Sequence, residues 1–180
     1  TTAGLVQPSS PVVTGSPRSV MTWDSLGHDG RDFIGGVTPW ASIATFTGAP
    51  ARDPIRVYAG IEAADTANAR ATLAVQDLDR FDAWDRSVIA IGTSTGTGTV
   101  DQGEVAPLEY LYGGDVATVS TQYSVLPSFL SFLVDQANAK EAALTLFDAV
   151  YNRWSQLPER QRPRLVVFGE SLGAFGADAP

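Results

Sequence analysis

The sequence predicts a doubly wound α/β fold with a mostly parallel sheet, and three observations carry that expectation. From residue 55 onward, short β-branched apolar runs alternate with longer stretches of helical periodicity. Strands separated by helical segments form βαβ units, whose sheet is parallel and covered by helices on both faces. The last run, Leu165 to Phe168, enters Gly169-Glu170-Ser171-Leu172-Gly173 and then a small-residue segment able to start a helix, a strand-turn-helix sequence.

The elements follow in chain order. Residues 1–20 hold Pro8, Pro11 and Pro17 among Ser and Thr with almost no charge, which reads as a linker or extended arm before a domain over 21–180. Residues 23–40 are punctuated by Gly and read as irregular, with His28 a surface or locally bonded side chain. Thr38 and Pro39 make a helix start, as N-cap and first helical residue, and Gly48 a stop. Trp40, Ile43, Ala44 and Phe46 are then expected to pack against the domain. Strands are predicted over 55–58, 87–91, 116–121 and 164–168. The intervening helices are predicted over 65–81, with Ala69, Leu73, Ala74, Leu78 and Phe81 on one face, over 104–112, closed by Gly113-Gly114, and over 136–157, closed by Pro158.

Composition removes several function classes. A chain of 180 residues can bury a single core, and 44% apolar against 18% charged residues predicts a folded chain. A net charge of −8 offers no basic stripe for phosphates, so no nucleic-acid partner is expected. With no Cys and one His, disulfides, thiolate sites and multi-His metal clusters drop out; no metal and no cofactor is expected. The longest nearly apolar run, residues 125–134, is interrupted by Pro127 and Ser128 and is too short to span a bilayer.

The chemistry concentrates after the last strand. Lifting a serine hydroxyl above a strand end requires a sharp turn whose flanking positions lack bulk, and Gly169 and Gly173 meet that need around Ser171. The same turn aims the Leu172 N–H at the reacting centre, where the helix dipole favours an oxyanion. The uncharged stretch Gly92-Thr-Ser-Thr-Gly-Thr-Gly-Thr99 after the second strand can bring further N–H groups to an anion. It lacks the Gly-Lys-Ser/Thr ending of a phosphate loop and the third Gly of a dinucleotide motif. Asp77, Asp79, Asp82 and Asp85 lack the Gly and distal Glu of a calcium loop and read as a solvated helix end. The aromatics between Tyr110 and Trp154 fall at helical spacing and read as core, with the stretch 123–132 a candidate lining for an acyl pocket.

Several blocks together resemble a known family. Tyr58-Ala-Gly-Ile-Glu, Phe81-Asp-Ala-Trp-Asp-Arg-Ser-Val, Leu108-Glu-Tyr-Leu-Tyr-Gly-Gly-Asp, Gln122-Tyr-Ser and Leu165-Val-Val-Phe-Gly-Glu-Ser-Leu-Gly resemble actinobacterial α/β-hydrolase-like membrane proteins. In these an N-terminal transmembrane module precedes a serine-hydrolase-like domain. The resemblance implies an α/β-hydrolase sheet, Ser171 as nucleophile and a small-molecule or lipid acyl substrate. It also implies membrane association through a segment absent from this chain, with a lean to the extracytoplasmic side. The order of elements gives the 87–91 strand the place whose following loop supplies the second oxyanion N–H; Thr93 and Ser94 are the candidates.

One departure stands out. In that fold the acid and the His follow the nucleophile, yet nine residues follow Ser171 and none is His. Three arrangements could supply them: a sheet truncated just after the elbow, a second chain or fragment completing it, or His28 acting from an unusual position. The first is favoured, because a sheet ending at 164–168 exposes an apolar edge. The expected activity is hydrolysis of ester or thioester bonds. The alternatives are acyl transfer by the same nucleophile, or a non-catalytic scaffold on the same fold.

Overall fold

The computed structural model describes residues 5–124 and 136–169. Four strands, β1 (Ile55–Ala59), β2 (Val88–Thr93), β3 (Val116–Thr121) and β4 (Arg164–Gly169), form one sheet in the order β1-β3-β2-β4. Every pairing is parallel. The expected doubly wound α/β class is the one observed.

Every residue of β1, β2 and β3 is buried, as strands covered on both faces must be. Alternate residues feed two different cores. On one face Ile55, Val57, Ala59, Ile89, Ile91, Ala117 and Val119 pack with Ala71, Ala74, Leu78, Leu146 and Val150. These last come from α3 (Ala67–Arg80) and the last long helix, α5 (Gln136–Ser155). The other face carries α1 (Gly27–Gly35) and α4 (Gln102–Leu111), where Phe33, Ile34 and Val105 meet Tyr58 and Val13. Removing one such aliphatic side chain from water contributes about 1.5–3 kcal/mol, so these two interiors drive the fold. Among the described residues, no helix is long and apolar enough to cross a membrane.

Four local expectations need correction. The 23–40 stretch is not irregular: a 3-10 turn over Trp23–Leu26 runs into α1. Its glycines suit close packing, since a Cβ on Gly30 would lie 2.6 Å from the Tyr58 ring. The helix after it, α2 (Trp40–Thr47), starts one residue later than expected, with Pro39 in the cap position and no side-chain cap. Thr38 instead donates its N–H to Glu109 Oε2 at 3.1 Å. Gly48 does end α2, in a left-handed conformation with φ of 66°. Only Ile43 of α2 is fully buried; Trp40 and Phe46 are 52% and 76% exposed.

The aspartates at the end of α3 are not simply solvated. Asp77 is fully buried and accepts from Thr14 Oγ1 at 2.9 Å, Ser19 Oγ at 2.6 Å and the Val20 N–H at 2.7 Å. Asp79 accepts from Trp84 Nε1 and Arg153 Nε, and Asp82 pairs with Arg18. The bonds of Asp77 and Asp82 fasten the N-terminal arm, whose Val13 bridges in parallel to Arg56 of β1.

Candidate active site

In a doubly wound sheet, ligands bind beyond the carboxyl ends of the strands. The sheet order makes β2 and β4 neighbours there, with Thr93 in register with Gly169. Gly92 allows their close approach near this end: a Cβ on it would lie 2.7 Å from Phe168 Cζ. The loop leaving β2, residues 94–101, therefore starts beside the strand end from which the chain enters Ser171. Gly169 closes β4; Ser171, Leu172 and Gly173 lie outside the described residues, as does most of the 123–132 stretch read as a pocket lining.

Strand β2 runs two residues further than its sequence suggests, so Thr93 belongs to the ladder, paired with Thr121 as well as Gly169. Ser94 is the first loop residue; it is fully buried, and its hydroxyl donates to the Thr121 carbonyl at 3.0 Å. Both residues thus stand at the junction of β2, β3 and β4.

The rest of the loop is held at three successive residues. Gln122 Nε2 donates to the Thr97 carbonyl at 2.9 Å, Tyr58 Oη donates to the Gly98 carbonyl at 2.7 Å, and Thr99 Oγ1 donates to Asp29 Oδ1 at 3.1 Å. Within the loop, Gly98 N–H donates to Thr95 O and Thr95 N–H to Thr99 O, both at 2.9 Å. Gly98 has a φ of +106°, and a Cβ there would lie 2.6 Å from the Tyr58 hydroxyl, so only glycine fits. Burial, and secondarily the charge of Asp29, push the Tyr58 phenol well above its ordinary pKa, which keeps it a donor at neutral pH.

His28 sits in the first turn of α1, its side chain 53% exposed and Nδ1 3.8 Å from Asp29 Oδ1. Its neighbour Asp29 is the residue that accepts from Thr99, so His28 belongs to the same end of the sheet. The anchors Tyr58, Gln122 and Asp29 were not singled out as site residues by sequence reasoning. The available signal was position: Tyr58 is the penultimate residue of β1 and Gln122 directly follows β3. A cleft of about 400 Å³ lined by Pro11, Val37, Thr38, Pro39, Trp40 and Asp53 lies elsewhere, by the amino end of β1.

Among the described residues, no group of three or more His, Cys, Asp or Glu side chains could hold a metal ion. Residues 55–180 match the model of a family described as the alpha/beta-hydrolase family. The chain belongs to that family. Residues 1–37 match a second model, described as the N-terminus of the alpha/beta-hydrolase family, so the arm and α1 belong to the family's pattern as well. The chain has no match among curated proteins or among solved structures. Family membership agrees with the parallel sheet and its flanking helices and establishes a hydrolase-like scaffold.

Proposed function

We propose that this chain carries the nucleophile of a serine hydrolase acting on ester or thioester bonds of small-molecule or lipid acyl substrates. The observation that carries the reading is the register of Thr93 with Gly169, which sets the β2 loop beside the strand that leads into Gly169-Glu170-Ser171-Leu172-Gly173. An apolar parallel strand, a glycine-flanked serine and an adjacent N–H-rich loop are the parts that acyl transfer through a serine needs.

In the proposed reaction Ser171 Oγ attacks the acyl carbonyl while a histidine takes its proton. The tetrahedral oxyanion accepts hydrogen bonds from the Leu172 N–H and from the end of β2 or the loop after it, for which Thr93, the last residue of the strand, and Ser94, the first of the loop, are the candidates. Collapse expels the alcohol or thiol, which receives the proton, and water then releases the acid by the same steps in reverse. The acid and the histidine are proposed to come from outside Thr1–Pro180, supplied by further chain or by a second chain. His28 is half-exposed and lies beside Asp29 at the correct end of the sheet, so it stands as the alternative base. Transfer of the acyl group to an alcohol instead of water would use the same residues. Membrane association is proposed only through a segment that this chain does not contain.

The test is covalent labelling of the full-length protein with a fluorophosphonate. Labelling is expected in the wild type and is lost in Ser171→Ala. No labelling of the wild type, or equal labelling of Ser171→Ala, would sink the reading and favour a non-catalytic scaffold. His28→Ala separates the two sources of the base: unchanged labelling places it outside this chain, and lost labelling with a folded protein assigns it to His28.

A further inference from the structure

Gln122 occupies an unusual place. It is buried, immediately follows β3, and its one carboxamide binds the loops leaving three strands. Oε1 accepts from the Ile61 N–H after β1 at 3.2 Å, and Nε2 donates to the Thr97 carbonyl after β2 at 2.9 Å and to the Ser124 carbonyl after β3 at 3.1 Å. A primary amide suits that position because it offers two donors and an acceptor in one plane. A carboxylate would present only acceptors to two carbonyl oxygens, and an apolar side chain would leave buried backbone groups unpaired.

We infer that Gln122, with Tyr58 behind it, is a positioning residue that orients the 94–101 loop for the reaction, an inference that rests on the serine-hydrolase reading above. The direction follows from peptide geometry. In a trans peptide the C=O and the following N–H point opposite ways. Tyr58 holds the Gly98 carbonyl toward the core, so the Thr99 N–H faces away from it. The Thr95 carbonyl is turned to Gly98 N–H, so the Gly96 N–H points out of the turn. The N–H groups of Gly96, Thr97 and Thr99 donate to no group among the described residues. Gln122 fixes the peptide between them through the Thr97 carbonyl, and so sets the direction of this row of donors. It touches no reacting atom in this scheme; it acts through the backbone that it holds.

Gly98 shows how closely loop and anchors fit, since a Cβ there would lie 2.9 Å from Gln122 Cγ as well as on the Tyr58 hydroxyl. A misplacement of about 1 Å at a catalytic group can cost on the order of a hundredfold in rate. Loss of the anchor is therefore expected in the reaction rate first.

The experiment uses the full-length protein, with Gln122→Met, Gln122→Glu and Tyr58→Phe beside Ser171→Ala as the unlabelled control. A fluorophosphonate probe gives the maximal labelling rate and the half-saturating concentration; amide hydrogen exchange gives the order of the loop. The expected result is a tenfold to hundredfold fall in maximal labelling rate (about 10- to 100-fold) with half-saturation changed less than about twofold. Exchange at the bonded N–H groups of Thr95 and Gly98 should accelerate while β3 stays protected. Tyr58→Phe keeps the ring and removes only the hydroxyl, so it reports on the anchor if the Gln122 variants fold poorly. Labelling rates equal to the wild type, or unchanged exchange at Thr95 and Gly98 in every folded variant, would overturn the inference. A wild type that does not label overturns the hydrolase reading and the catalytic half of this inference with it, while exchange still decides whether Gln122 holds the loop.

Discussion

At Asp77 a single carboxylate joins the N-terminal arm to α3 through Thr14, Ser19 and Val20, and Thr14 Oγ1 in turn accepts from the Tyr58 N–H at 3.1 Å. Removing it leaves two hydroxyls and an N–H without their acceptor. Asp77→Ala is expected to cost about 2–3 kcal/mol, measured by urea unfolding. Its titration is informative too. Burial raises the Asp77 carboxyl above its ordinary pKa, against the opposing bonds from Ser19, Val20 and Thr14 and the charge of Arg80. With the folded pKa raised, the folded state holds the proton more tightly than the unfolded chain. The stabilising contribution is therefore complete below the unfolded carboxylate value and is lost as pH rises through the folded one. Asp77→Asn cannot titrate, so its stability relative to the wild type should rise as the pH increases above the unfolded carboxylate value of about 4. A difference independent of pH would show that Asp77 ionises as it does in water.

Between elements, Arg56 of β1 and Glu109 of α4 form an ion pair 2.7 Å apart with both side chains wholly buried. Arg56 also donates to the Phe33 carbonyl and to Gln102 Oε1, while Glu109 accepts from Thr38, so strand, helix and the α1–α2 junction meet at one ion pair. Glu109→Ala should cost about 3–5 kcal/mol by thermal or chemical unfolding, because it strands a buried guanidinium. Replacing both partners with apolar residues of similar volume should cost much less, and equal losses would show that the charge is not what matters. This pair marks the limit of what could be read from the sequence. The strands were legible because a two-sided core demands continuous apolar runs, and 116–121 emerges with the boundaries predicted. Helix α1 was not, because its glycines argue against a helix until Tyr58 is seen against Gly30. Nor could the sequence show that Asp77 leaves a solvated helix end for bonds to Thr14 and Ser19, some sixty residues away in the chain. At the candidate site, the Ser171 motif and the glycine-threonine loop were legible as patterns. The anchors were not, since a Gln and a Tyr beside strand ends carry no motif of their own.

Over the whole molecule, the sheet is asymmetric. Strands β1 to β3 are buried throughout, whereas β4, which pairs only with β2 among the described residues, has Arg164 exposed and the remainder half-buried. An apolar strand with an open side recruits another chain. Residues 1–180 expressed alone are expected to self-associate in sedimentation velocity as concentration rises, and Val167→Lys, which places a charge on that strand, should reduce the association. Equal association of both would locate the contact elsewhere, with exposed Trp40, Phe46 and Leu111 the next surface to vary.

The order β1-β3-β2-β4 also sets a sequence of events at the ribosome. Strands β1, β2 and β3 and the loop anchors Tyr58 and Gln122 have all been synthesised by residue 122, while the other side of β2 waits for a strand that begins at Arg164. Synthesis runs from the N-terminus, while a domain generally folds as a unit. The residues that hold the 94–101 loop are thus all in the chain before the segment proposed to carry the nucleophile is made.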